Sequence, residues 1–209
     1  MAVQTVPTKG NLLATKKSLE LSRTGFELLD RKRNILIREM MALIDRAASI
    51  QDKIDTTYAQ AYKALQMANI ASGICYEVSR TVPVENGLNV AFRSVMGVEI
   101  PMVSLAEHND PIPYGLSSTN SMMDRAYERF NEVKRLTAEL AEVENSVYRL
   151  ADAIKKTQKR ANALKNIMIP RFEETVKFIT DALEEKDREE FSRLKVIKSQ
   201  KTAKSQKNA

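Results

Sequence analysis

The sequence predicts an all-α protein: a long antiparallel two-helix coiled-coil hairpin with a small loop or β-hairpin insertion at the turn. Three observations carry that reading. Two long stretches hold apolar heptad repeats, no proline falls between Asn11 and Thr81 or between Ser117 and Ile169, and four of the six prolines and three of the six glycines fall together between the two repeats. Composition agrees, because Ala, Leu, Glu, Lys and Arg dominate as they do in long helices, while Trp is absent and aromatic residues make up 6%.

With Leu12 at heptad position a, the a series runs Leu12, Leu19, Phe26, Arg33, Met40, Ala47, Ile54, Ala61, Ala68. The d series runs Thr15, Ser22, Leu29, Leu36, Leu43, Ile50, Thr57, Ala64, Ala71. Fourteen of these 18 positions are apolar against 16 of the other 42 between Leu12 and Ala71, which marks a coiled-coil seam. The second repeat has a positions Ala126, Val133, Leu140, Val147, Ile154, Ala161, Met168 and d positions Arg129, Leu136, Val143, Leu150, Thr157, Leu164, of which 11 of 13 are apolar. Helices are expected from about Asn11 to Ser79 and from about Ser118 to Ile197, roughly 100 and 120 Å long at the α-helical rise. The predicted organisation is a first helix in 1–79, a central loop in 80–117, a second helix in 118–197 and a basic flexible tail in 198–209.

The central segment carries Pro83, Pro101, Pro111, Pro113, Gly87, Gly97 and Gly115. Within it, Leu88, Val90 and Phe92 alternate with polar or small residues, and Val98, Ile100 and Met102 alternate after Met96-Gly97, a pattern that suits a short hairpin. Folding the chain at this loop brings Ala71 opposite Ala126, Leu12 near Glu185 and Gly25 near Pro170. The second heptad loses register at that last level and resumes as Phe172, Val176, Ile179, Leu183, so a bend is expected at Gly25 and Pro170.

The e position is polar near the termini, as Lys16, Arg23 and Asp30, and turns apolar toward the loop as Ile37, Ile44, Tyr58 and Leu65. Met41 and Tyr62 add to this face from b, and Phe130 from the second helix. Such a widened face is expected either to meet a separate partner or to lie under the folded-back central hairpin.

Chemistry finds little support. No G-x-x-x-x-G-K-[ST] or G-x-G-x-x-G occurs, and the single His108 in a polar, Pro-rich stretch reads as a loop residue rather than a metal ligand. Cys75 lacks the basic or helix-start setting of a nucleophile, and acidic clusters around Glu139, Glu142 and Glu144 read as solvated faces. No cofactor, metal or catalytic residue is expected. The net charge of +6 is compatible with nucleic acid, but the cations of the first helix surround it rather than forming one stripe with aromatic platforms. No signal-peptide pattern and no membrane-spanning run are present, so a cytoplasmic, soluble protein is expected.

Specific fragments go further. The run Pro7-Thr-Lys-Gly-Asn-Leu-Leu-Ala-Thr-Lys16, then Gly25-Phe-Glu-Leu-Leu-Asp-Arg-Lys-Arg33 with Glu39-Met40, resembles the opening of the D subunit of V/A-type (vacuolar/archaeal-type) rotary ATPases and ATP synthases. Thr157-Gln-Lys-Arg160, Asn162-Ala-Leu164, Ile169-Pro-Arg171 and Arg188-Glu-Glu-Phe191 are similar to the same family's closing helix. The resemblance implies a non-catalytic axle of the central stalk, its paired termini inside the hexamer of catalytic A and B subunits. It implies that the F subunit joins the stalk and that the loop end docks on the C subunit at the membrane ring, on the cytoplasmic face of the plasma membrane if the source is prokaryotic. On that reading Lys16, Arg23, Arg31, Arg33, Lys159, Arg160 and Arg171 are bearing contacts in the hexamer. Gly25 and Pro170 form the kink, and Ile37, Met41, Ile44, Tyr58, Tyr62, Leu65 and Phe130 face the F subunit. A general coiled-coil scaffold or tether, and a helical nucleic-acid-binding protein, are the competing readings.

Overall fold

The computed structural model describes residues 6–106, 113–115 and 119–207, with side chains as far as Lys201. The elements are α1 (Lys9–Ser72), α2 (Tyr76–Thr81), β1 (Leu88–Val95), β2 (Val98–Leu105), α3 (Ser121–Ala163), a π-helical turn (Leu164–Met168) and α4 (Ile169–Lys207). The chain divides into two compact units, one made of Met1–Arg31 with Thr157–Ala209 and the other of Lys32–Lys156.

Local chemistry sets the ends of α1. Thr8 Oγ1 accepts the Asn11 backbone N–H at 3.2 Å, a hydroxyl cap on a donor that the helix itself leaves unpaired. The expected run to about Ser79 stops instead at Ser72, because Gly73 takes φ 80°, the left-handed C′ conformation that glycine adopts without a Cβ clash. Cys75 N–H then donates to Asn69 Oδ1 at 3.2 Å, and the separate six-residue helix α2 follows.

The seams fold as the heptads predict. Every a and d position of α1 from Leu12 to Ala68 is buried or half-buried, as is every one from Ala126 to Met168, whereas Ala71 is exposed. The polar d residues are accommodated by back-bonding within the helix. Thr15, Ser22 and Thr57 hydroxyls donate to the carbonyls of Asn11, Ser18 and Lys53 at 2.7 Å each, so no donor is left unpaired at these three seam positions.

In the unit of residues 32–156, helices α1 and α3 run antiparallel. Ile50 and Ile54 pack with Val143 over Leu43, Ala47, Leu136, Leu140 and Val147. Further along, Leu36, Ile100 and Leu150 form a second cluster with Met40, Leu43, Val95, Val98 and Ile154. In the other unit, antiparallel pairing places Arg23 Nη2 2.6 Å from Glu173 Oε1.

The expected β-hairpin is present, with β1 and β2 antiparallel from Leu88↔Leu105 to Val95↔Val98. Met96 and Gly97 both have positive φ, 51° and 77°, as a two-residue type I′ turn requires. Val95 and Val98 close that turn, so ladder bonds alternate and Pro101, opposite Phe92, falls where no ladder N–H is needed. The same register puts Leu88, Val90 and Phe92 on one face and Val98, Ile100 and Met102 on the other.

The helices after the loop differ from the expected bounds at both ends. Residues 198–207, anticipated as a flexible basic tail, continue α4 as helix to Lys207, which Lys, Gln and Ala favour and no Gly or Pro interrupts. The helix after the loop begins at Ser121 rather than 118; Asn120 C=O accepts the Met123 N–H at 2.7 Å.

Candidate interaction surfaces

In the unit of residues 32–156, helix α1 leaves an apolar stripe exposed beside its seam. Ile37, Met41 and Ile44 are 37%, 51% and 40% exposed, spaced four and three apart on one helical face. Farther along α1, past the exposed Gln51 and Asp55 on the same face, lies an aromatic cluster. Tyr58 stacks on Tyr62 with ring centroids 5.9 Å apart, and Tyr62 meets Phe130 of α3 edge-on at 5.6 Å. Tyr62 is itself 60% exposed, and a shallow groove lined by Tyr58, Tyr62, Phe130, Val133, Thr137 and Ala141 runs beside it. Leu65 is half-buried.

The central hairpin does fold back onto the helix pair, yet it leaves that stripe open. It seats the free edge of β2 against α3. Val103 N–H donates to Glu142 Oε2 at 2.6 Å and Arg149 Nη1 donates to the Glu99 carbonyl at 3.2 Å. Lys134 Nζ pairs with Glu85 at 2.7 Å before β1 begins. Arg149 also lies over the Phe92 ring, 5.3 Å from its centroid. Unpaired edge groups are thereby satisfied by Glu142 and Arg149, seven residues apart on one face of α3. Glu142, read from sequence as part of a solvated acidic face, is a hairpin anchor, and Glu139 accepts from Arg46 Nη2, a pairing that raises the guanidinium pKa further.

The loop end of this unit is a second apolar surface. Met67, Ile70 and Ile74 are 47%, 73% and 89% exposed, and Tyr76 of α2 is exposed beside them. Beneath lies a small core of Ala68, Tyr114 and Met123 with Cys75, Val78 and Tyr127. Burial, with the Tyr114 hydroxyl donating to Asp124 Oδ1 at 2.8 Å, pushes the phenol well above its usual pKa. Sequence reasoning missed these exposed apolar residues; Met67 and Ile70, three apart on α1 outside the heptad seam, were the available signal, while Ile74 lies past the Gly73 break.

Of the expected bearing residues in the unit of residues 1–31 and 157–209, Lys16, Arg23, Arg31, Lys159, Arg160 and Arg171 are exposed. Arg23 is engaged with Glu173. Arg33 belongs to the other unit, is half-buried, and donates to Asn34 Oδ1 at 3.3 Å. The cationic surface is not purely polar, because Leu13, Leu21 and Leu28, eight and seven residues apart, are 60%, 73% and 61% exposed. The expected Gly25–Pro170 level carries the π-turn. The Ile169 N–H donates to the Leu164 carbonyl, five residues back. A Cβ on Gly25 would stand 3.7 Å from Leu164 Cδ1, and Lys165 Nζ sits 5.6 Å from the Phe26 ring centroid. The residue facing Gly25 is thus Leu164.

Among the described residues no three His, Cys, Asp or Glu side chains gather in a metal-binding group, and no helix is long and apolar enough to cross a membrane. His108 lies outside the described residues.

These features define an antiparallel coiled-coil hairpin with a β-hairpin seated on one helix and exposed apolar faces beside its seam. The chain belongs to the ATP synthase D-subunit family, whose sequence model matches residues 11–199. It is 44% identical over 194 residues to the V-type ATP synthase D subunit of Thermotoga neapolitana, covering 92% of this chain and 96% of that one. It is 38% identical over 197 residues to the A-type ATP synthase D subunit of Methanosphaera stadtmanae, covering 92% of each. Against the A-type D subunit of Thermococcus sibiricus identity is 36% over 205 residues, 96% of each chain.

Proposed function

We propose that this chain is the non-catalytic axle of the central stalk in a V/A-type ATP synthase or ATPase. It carries torque between ATP hydrolysis or synthesis in the A/B hexamer and proton or sodium transport through the membrane ring. The observation that carries the reading is the antiparallel seam within each unit, with every a and d position of α1 from Leu12 to Ala68 buried or half-buried and the d-position hydroxyls of Thr15, Ser22 and Thr57 satisfied, in a chain of the ATP synthase D-subunit family. A close-packed seam resists splaying and twisting, as torque transmission requires.

The exposed surfaces take roles on this reading. The cations at Lys16, Arg23, Arg31, Lys159, Arg160 and Arg171, with the leucines at 13, 21 and 28, form the bearing surface inside the hexamer; Arg33 of the unit of residues 32–156 is a bearing contact in its own right. Ile37, Met41, Ile44 and Tyr62, with Tyr58, Leu65 and Phe130 behind, receive the F subunit. Met67, Ile70 and Ile74 at the loop end dock on the C subunit. The bend at Gly25 and Pro170 makes the axle asymmetric, so that it biases the three catalytic interfaces differently. The complex stands as a peripheral assembly on the cytoplasmic side of the membrane.

A photo-crosslinking amino acid at Leu21 tests the bearing assignment in the assembled complex. Crosslinking to the A or B subunits is expected to stop steady-state ATP hydrolysis in proportion to the crosslinked fraction. Undiminished turnover in fully crosslinked enzyme would remove the axle from the mechanism.

A further inference from the structure

The spacing of the second seam contains one residue too many. From Leu150 it steps to Ile154, Thr157, Ala161, Leu164 and Met168 by alternating fours and threes, and from Phe172 to Val176, Ile179 and Leu183 the alternation resumes. The step from Met168 to Phe172 should be three and is four. On the facing stretch, α1 steps through Leu12, Thr15, Leu19, Ser22, Phe26 and Leu29 with no such break. An extra residue in a straight α-helix turns every later side chain by about 100° and would carry Phe172, Val176, Ile179 and Leu183 off the seam. They are not off it: Phe172, Val176 and Leu183 are half-buried and Ile179 is fully buried.

The π-turn at Leu164–Met168 reconciles the two facts by wrapping one additional residue into one turn, closed by the Ile169 N–H on the Leu164 carbonyl. Met168, Ile169 and Pro170 are consecutively half-buried there, as expected where the apolar stripe is being moved round the helix. We infer that the π-turn is imposed by the seam rather than by Pro170, and that it is a compliant level built into the axle. The proline is accommodated by the turn; it removes one further N–H from the ladder just beyond it. Across from the turn, α1 presents Gly25, the residue type with the lowest helix propensity apart from proline, and only Leu164 Cδ1 comes within 4 Å of where its Cβ would stand. Both helices are therefore weakest at one level, and the seam is intact on either side. A level of this kind yields under torque while the flanking seam stays rigid, and its place as an elastic element rests on the axle reading above.

The seam origin is tested on the free full-length chain, so it can fail while the axle reading stands. Peptide-resolved hydrogen exchange is compared for wild type, Pro170→Ala, and Pro170→Ala combined with deletion of Asn166, which restores unbroken heptads. Wild type and Pro170→Ala are both expected to exchange at 164–170 on the order of 10-fold faster than at 176–183, and the deletion variant to lose that difference. Exchange in Pro170→Ala that falls to the flanking level would make the proline the cause and overturn the inference, whether or not the deletion variant folds. Persistent fast exchange in a folded deletion variant would overturn it equally. In the assembled complex, a bead on the stalk is expected to show narrower angular fluctuations with the deletion variant than with Pro170→Ala; equal widths would overturn the compliant role.

Discussion

Leu150→Ala is expected to lower the unfolding free energy by about 3 kcal/mol. Leu150 and Leu36 are fully buried, and Ile100 of β2 closes the same cluster at 2% exposure. Alanine at 150 removes the contact that joins both helices and the hairpin at once. The space cannot collapse readily, because α1 and α3 are fixed by neighbouring seam layers and the hairpin edge is held by Arg149 and Glu142. Thermal melting followed by far-ultraviolet circular dichroism should show a midpoint lower by roughly 6–12 °C. Phe92→Ala, on the same hairpin but 58% exposed, should change stability by about 0.5 kcal/mol or less. Equal effects from the two substitutions would mean that the hairpin does not share the helix-pair core.

The second large effect concerns the F subunit. Ile44→Glu with Tyr62→Ala is expected to weaken its binding by about 100-fold, the sum of two interface losses near 1.5 kcal/mol each. Both side chains are substantially exposed in the free chain, at 40% and 60%, so the double variant should melt within about 2 °C of wild type. Calorimetric titration with the purified F subunit measures the change. Binding retained within about 3-fold would place the contact on another face.

The helical pairing was legible because a seam must bury one stripe at 3.5-residue spacing, and Leu12 to Ala68 and Ala126 to Met168 advertise that stripe without interruption. The β-hairpin was equally legible, since Met96-Gly97 between two alternating runs leaves few other folds. What escaped was of a different physical kind. The stop at Ser72 depends on one glycine taking φ 80°, and glycine is also tolerated within helices, as Gly25 in α1 illustrates. The hairpin's seat depends on Glu142 and Arg149, charged residues whose sequence context matches an ordinary solvated face; only the fold reveals backbone groups within their reach. The irregular level near Pro170 was visible as lost heptad phase, yet proline is so common a cause of kinks that it masks the one-residue surplus leading to the π-turn. Residues 198–207 carry no apolar stripe, and periodicity is silent where a helix continues on propensity alone.

The candidate surfaces were legible in part for the same reason. Ile37, Met41 and Ile44 stand out as apolar residues displaced from the seam, and they are exposed as that displacement requires. Whether the hairpin would cover them could not follow from periodicity, because it turns on which hairpin edge meets which helix.

Rotation is the most direct test of the axle. With an A/B hexamer immobilised and this chain and the F subunit assembled onto it, a bead is attached through a cysteine at Ile74, which is 89% exposed, in a Cys75→Ser background. On adding ATP the bead should turn continuously in one direction and stop when ATP is exhausted. Steady ATP hydrolysis beneath a bead that stays still, in complexes verified to contain the labelled chain, would contradict the account.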